Sequence, residues 1–179
     1  MNTDQLNTAL KHFLDDIDNN DNRVLAADEL PSCGYSLKRG SYLIVNTDPS
    51  EKRGTHWLAI YCCPDIIEDE PGHRRKVVEI FDSYGYELNT YPIIKKFILD
   101  RCHTKEERNN LLIRMNSGQI QSENSTACGA HCLLFLILRI HHGITMGDII
   151  ERIYTDNFNF NDCLAMMHYI DHMIKSFIL

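Results

Sequence analysis

The residue of this sequence best placed to do chemistry is the cysteine at position 128. It stands in Ser125-Thr126-Ala127-Cys128-Gly129, at the head of a run, 127–142, that is apolar nearly all round. A helix starting there aims unpaired backbone N–H groups and a partial positive charge at the thiol. Both favour the thiolate, the nucleophilic form of cysteine. Ser125 or Thr126 is expected to cap the helix, and Gly129 to let a substrate carbonyl approach the backbone. The ordinary fate of a cysteine is to be buried and inert, and Cys132, Cys163 and the adjacent Cys62–Cys63 pair fit that description. A working nucleophile also needs a base and a group to orient the base.

His56 and Asp82 are of those types. His56, followed by Trp57, opens an apolar run. Asp82 follows another, in Phe81-Asp82-Ser83-Tyr84-Gly85. If the two runs are neighbouring strands, the imidazole and the carboxylate converge at one sheet edge. His56 then takes the proton of Cys128, and Asp82 fixes its tautomer and stabilises the imidazolium. Gln121, seven residues before Cys128, is a candidate to point a side-chain N–H at a developing oxyanion, with the Cys128 backbone N–H as second donor. Gln119 competes for that role, and strand alternation does not separate the two.

Other constellations are weaker. His131 lies one turn after Cys128 on the same helix, where a thiol at the helix start points away from it. His141 and His142 fall in a last helical turn, which favours a cation. Cys128-x-x-His131-Cys132 lacks a second ligand pair, so no metal site is expected. Asp18, Asn20, Asn22 and Glu29 match positions 1, 3, 5 and 12 of a calcium loop, but Arg23 takes the place of the turn glycine, and Pro31 and Gly34 cut off the exiting helix.

The elements that must position these residues follow from hydrophobic periodicity. Helices are expected over 3–17, 92–100, 127–142, 145–154 and 160–177, and strands over 41–46, 56–63, 76–81 and 111–115. Residues 64–75, with Pro64, Pro71, Gly72 and several charges, predict a loop. The apolar positions of the last helix (Leu164, Met167, Ile170, Met173, Ile174 and Phe177) predict a core role. The fold class is α+β: a small mixed sheet between helices, with a buried central helix carrying the nucleophile.

Length and composition set the frame. The 179 residues predict a single domain, 1–179, which is large enough to bury roughly 70% of its unfolded surface. A net charge of −7 disfavours a nucleic-acid-binding module. No apolar run reaches 18 residues and no signal peptide opens the chain, so no membrane partner is expected. Seven cysteines without framework spacing point to a reducing, intracellular setting.

The order His-Trp, acidic residue, Gln, Cys-Gly resembles the adenain-like cysteine proteases of adenoviruses, of the same clan as the SUMO-specific proteases. Ile44-Val45-Asn46-Thr47 with Gly54-Thr55-His56-Trp57-Leu58-Ala59 is similar to the adenain segment around its histidine. Gln121-x-x-Asn124-Ser125-x-Ala127-Cys128-Gly129 is similar to its nucleophile segment. Phe81-Asp82-Ser83-Tyr84-Gly85 and Val24-x-x-x-Asp28-x-Leu30-Pro31 resemble proteases of Maverick/polinton elements. The resemblance covers roughly residues 24–150.

It implies His56 as general base, Cys128 as nucleophile, Asp82 as the acidic member, Gln121 as the oxyanion glutamine and Trp57 as a wall of the substrate groove. It also implies a cysteine endopeptidase that cuts capsid and core precursors at Gly-rich sites through a thioester, matures virions, and is found in the host nucleus or virus factory and in the virion. A monomer is expected, and no cofactor for the chemistry. Adenain responds to DNA and to a capsid-derived peptide tethered by a disulfide. Here the acidic charge disfavours DNA, and Asn109 to Leu112 hold no cysteine for such a tether. Three other readings stay open: an isopeptidase cutting after the Gly-Gly of a ubiquitin-like protein, an acyltransferase, and a non-catalytic binding module.

Overall fold

A computed structural model of the chain describes residues 1–14, 24–52, 54–70 and 73–178. The first helix, α1, covers Thr3–Phe13. Its start is a capping box in which Asn2 and Gln5 each accept the other's backbone N–H. Residues 18–23, the first half of the calcium-like run with Asp18, Asn20 and Asn22, and the end of the expected first helix lie outside the described residues. Glu29 is described, and it accepts the Ala26 N–H at 2.7 Å within a turn.

Five strands follow: β1 (Val24–Ala26), β2 (Tyr42–Asn46), β3 (Trp57–Glu70), β4 (His73–Phe81) and β5 (Leu111–Met115). They lie side by side in that order. The outer pairs β1–β2 and β4–β5 are parallel, and the inner pairs β2–β3 and β3–β4 are antiparallel. The expected loop over 64–75 is instead a hairpin. β3 runs on through Pro64 to Glu70, and β4 begins at His73. The pairing slips between Cys62 and Ile66, where Pro64, lacking an N–H, cannot pair normally. A bulge therefore absorbs a signal that, read locally, ends a strand.

Side-chain alternation divides the core in two. Ile44, Trp57, Ala59, Tyr61, Val77 and Phe81 join one cluster, which includes α1 and the helices α4 (Cys128–Ile140), α5 (Met146–Arg152) and α6 (Phe158–Ile178). Leu43, Val45, Leu58, Ile60, Val78 and Ile80 join the other, with Ile94, Phe97 and Ile98 of α2 (Pro92–Asp100). This is the α+β sheet between helices that the hydrophobic pattern predicts. A further one-turn helix, α3 (Lys105–Asn109), starts on a capping box of Thr104 and Glu107 and carries no apolar stripe to announce it.

Residues 128–138 of α4 are all buried, as an all-apolar helix requires. Phe135 stacks on Phe81 with ring centroids 4.7 Å apart, and Arg139 anchors the far end through a 2.7 Å ion pair with buried Glu79. The last helix departs from its expected core role. Leu164 and Met173 pack inward, but Met167, Ile170 and Ile174 are exposed. Apolar residues ring this helix on more than one side, and the fold covers only one of them.

Candidate active site

β3 and β4 pair with Ala59 opposite Phe81, so His56 and Asp82 lie just beyond the same end of adjacent strands. The structure brings them together: His56 Nε2 is 2.6 Å from Asp82 Oδ1, and both residues are buried. The other ring nitrogen, Nδ1, is buried and makes no hydrogen bond of normal geometry. Cys128, the first residue of α4, lies close enough to act on the ring. Burial pushes the imidazole pKa down, but hydrogen bonding and charge from Asp82 and Cys128 outweigh it and raise it to about 9. His56 is therefore positioned to hold a proton between a carboxylate and a sulfur.

Asp82 is held more fully than its neighbours in sequence suggest. Its Oδ1 also accepts the Tyr84 N–H at 2.8 Å, and its Oδ2 accepts the Tyr86 N–H at 3.1 Å and the Tyr91 hydroxyl at 2.7 Å. Burial alone would lift its carboxyl. The His56, Tyr91 and Tyr84 interactions reverse that and hold it below the usual carboxylate range. Its main chain is clamped by Asn116, just past β5, whose side chain accepts the Asp82 N–H at 2.8 Å and donates to the Asp82 carbonyl at 2.7 Å. Sequence reasoning missed Tyr91 and Asn116. Neither stands in a motif, and both reach Asp82 only through the fold.

Gln121 is fully buried beside this pair. Its Oε1 accepts the Ser83 hydroxyl at 2.6 Å, and its Nε2 donates to the Ser125 carbonyl at 2.9 Å, with the Tyr84 hydroxyl at a longer 3.4 Å. Gln119 is half-buried, and its amide donates to the Gln121 carbonyl at 2.7 Å. The Asp82–Gly85 turn meets this segment with no space to spare. Gly85 has φ +68°, and a side chain there would lie 2.3 Å from the Gly118 carbonyl oxygen, so only glycine fits.

The start of α4 differs from expectation in two ways. Its N-cap is Ala127, with no side-chain cap, and the Ser125 hydroxyl accepts the Ala127 N–H instead, at 3.1 Å. The first N–H groups of the helix are thus left without a side-chain acceptor, as an anion-receiving helix start requires. The space beside Gly129 is taken by Met1 and by Leu6 of α1. A Cβ there would lie 3.2 Å from both Leu6 and Met1. Trp57 is also turned to the core, with its indole N–H donating to the Met1 carbonyl at 3.2 Å.

A cavity of about 540 Å³ opens beside His56, lined among others by Tyr84, Tyr86, Tyr91, Gln119 and Glu123. Trp57 is not among its lining residues. The Tyr84 ring lies 4.7 Å from the imidazole. His131, rejected above as a base, is wholly buried and bonded to Tyr154 and Asp162. Burial holds the Cys132 thiol well above its ordinary pKa and pushes that of Cys63 up to about 11, so both stay neutral. Among the described residues no group of three or more His, Cys, Asp or Glu side chains could hold a metal ion.

A family model described as adenovirus endoprotease matches residues 34–153. A protease of Bovine adenovirus 4 is 30% identical over 97 residues, covering 52% of this chain and 44% of that protein. A protease of Ovine adenovirus D serotype 7 (isolate OAV287) is 31% identical over 100 residues, with the same coverage of both. The match therefore spans a little under half the length of these relatives. A solved structure of SUMO protease Ulp1, with the catalytic cysteine oxidized to a sulfinic acid, aligns with 96% of this chain and 78% of its own at 14% identity and a TM-score of 0.43.

Proposed function

The chain belongs to the adenovirus endoprotease family, and on that premise we propose that it is a cysteine endopeptidase, one protease domain over 1–179, with Cys128 as nucleophile, His56 as base, Asp82 as its orienter and Gln121 as oxyanion donor. The observation that carries this is the buried His56–Asp82 pair at 2.6 Å, whose imidazole also feels Cys128. The Cys128 sulfur attacks the scissile carbonyl carbon while its proton is held on His56. The oxygen that becomes negative is received by the Cys128 backbone N–H and Gln121 Nε2–H. Collapse of this intermediate breaks the C–N bond, and the proton passes from His56 to the leaving amine. Water, deprotonated by His56, then attacks the thioester and releases the acid, and the proton returns to Cys128.

Burial also supports a substrate class. Cys128 and His56 are each 6% exposed. A scissile carbonyl reaches that depth only if the residue bearing it is thin, which favours glycine before the cut. The proposed substrates are Gly-rich sites in capsid and core precursors, cut during virion maturation in the infected cell or the particle. The chemistry needs no cofactor. DNA or a viral peptide would act, if at all, by ordering the site, and the net charge of −7 weighs against DNA. No helix among the described residues is long and apolar enough to cross a membrane.

Covalent trapping tests this reading. An electrophilic peptide ending in Gly-Gly is expected to label Cys128 alone among the seven thiols, and not to label His56→Ala. Labelling spread over several cysteines would overturn it. Faster cutting of full ubiquitin-like conjugates than of short Gly-Gly peptides would move the substrate to an isopeptide.

A further inference from the structure

The segment that carries Gln121 has no helix or strand to hold it; residues 116–127 run from β5 to α4 without either. An oxyanion donor has to sit within a fraction of an ångström of its target, so bonds from elsewhere must fix this segment. One set comes from Ser83, whose carbonyl accepts the N–H groups of Ile120 (2.9 Å) and Gln121 (3.1 Å). This ties the segment to Asp82.

A second set comes from the first turns of α6. Asn161, fully buried, donates to the Ile120 carbonyl at 2.9 Å. Asp162 Oδ2 accepts both the Ser122 hydroxyl (2.7 Å) and the Ser122 N–H (3.2 Å). Gln121 is thus held on both flanks. The other oxygen of Asp162 accepts from His131 Nε2 at 2.9 Å. His131 lies on α4, three residues after Cys128, and is wholly buried. The Tyr154 hydroxyl, 3.0 Å from His131 Nδ1, donates to that nitrogen and so leaves Nε2 as the protonated one.

One carboxylate therefore joins the helix that carries the proposed nucleophile to the segment that carries the proposed donor. We propose that Asp162, with His131 and Asn161, forms a positioning clamp that sets Gln121 Nε2 relative to the Cys128 backbone N–H and so completes the oxyanion pocket. None of the three touches substrate. The proposal rests on the reading of Gln121 as an oxyanion donor, and the test separates the two.

The test measures kcat and KM on a fluorogenic Gly-Gly peptide, and the rate of Cys128 alkylation by iodoacetamide across pH. Alkylation needs the thiolate–imidazolium pair but no oxyanion pocket. Asp162→Ala is expected to lower kcat about 10- to 100-fold, with KM within about twofold and the alkylation profile unchanged. Gln121→Ala is expected to lower kcat about 10²- to 10³-fold. The double variant is expected to be no slower than Gln121→Ala alone, because a clamp has nothing left to position. Asp162→Ala strips the partner from a buried histidine and puts the fold at risk. Ser122→Ala keeps that pair and removes only the hydroxyl bond, with an expected loss in kcat of about 3- to 10-fold.

Full kcat in folded Asp162→Ala and Ser122→Ala, with loss in Gln121→Ala, would overturn the clamp and leave the donor reading standing. Full kcat in Gln121→Ala would remove the donor reading and the clamp with it. Alkylation falling in step with kcat in Asp162→Ala would also overturn the clamp, since the damage would then lie in the Cys128–His56 pair.

Discussion

The molecule holds two histidine–aspartate pairs on buried imidazoles, of nearly the same length, His56–Asp82 at 2.6 Å and His131–Asp162 at 2.9 Å. Their imidazoles are driven in opposite directions. At both, burial opposes the charged ring. His56 gains from two partners, an Asp82 carboxylate kept ionised by Tyr91 and backbone N–H groups, and the Cys128 sulfur, so its pKa rises to about 9. His131 gains only from Asp162, because its other nitrogen meets a neutral tyrosine hydroxyl. There burial dominates and the pKa falls. The same two side chains thus favour a charged ring at one place and a neutral donor at the other. What differs is the group on the second ring nitrogen.

The sharpest way to break this comparison is to remove the chemistry from one pair alone. Cys128→Ser and His56→Ala are each expected to lower kcat/KM by about 10³-fold or more while circular dichroism still reports the native fold, His56→Ala also losing stability because it leaves the buried Asp82 carboxylate unpaired. Cys132→Ser retains activity in the same assay, and the reverse pattern would move the nucleophile.

Next in size is Asp82→Asn. It places an amide where four hydrogen bonds are accepted, and costs about 3 kcal/mol of stability. It also removes the charge that holds the His56 proton. The high-pH limb of kcat/KM, expected near 9 in the native protein from the raised His56 pKa, is expected to move toward the ordinary imidazole value of 6.5. A pH–rate profile together with urea unfolding checks both effects.

The two histidines also predict opposite pH dependences of stability. His56 binds its proton more tightly folded than unfolded. Its contribution is complete below pH 6.5 and is lost as pH rises through about 9. The folded state resists protonation of His131. Its contribution is complete above pH 6.5 and is lost as pH falls below that value. Each amounts to at most about 1.4 kcal/mol per pH unit. Unfolding curves from pH 4 to 10 are expected to flatten on the alkaline side in His56→Ala and on the acid side in His131→Gln.

The smallest contrast lies in the two tyrosines. Tyr91→Phe removes a hydroxyl from an ionised carboxylate and is expected to cost about 1.5–3 kcal/mol, whereas Tyr154→Phe removes one from a neutral ring and costs about 1 kcal/mol. Equal losses in thermal unfolding would mean that Asp82 is not held as an anion.

Local signals explain why much of the fold was legible. The expected spans 92–100 and 111–115 match α2 and β5 residue for residue, because a proline opens one and a short, mostly apolar run between polar residues forms the other. The run after Cys128, apolar nearly all round, fits only a core helix. The hairpin beyond Pro64 was not legible, because cross-strand pairing carried β3 past a residue that locally argues for its end. The exposed stripe of α6 was not legible either. Periodicity shows that a face is apolar, not whether the fold supplies a partner for it.

At the candidate site the division is similar. The types and order of His56, Asp82 and Cys128 as candidates could be read from the chain alone, since each chemistry admits few side chains and strand ends and a helix start present them. Which nitrogen of His56 meets Asp82 depended on three-dimensional contact. So did the choice of Gln121 as the glutamine held beside the turn, and of Gly129 as a seat for α1. The tertiary structure also decided that His131, one turn from Cys128, is a buried neutral donor. Its character is set by Tyr154 and Asp162, 23 and 31 residues away. Sequence spacing encodes which groups exist and which element carries them. A proton's position depends on burial and on the second partner, and only packing supplies those.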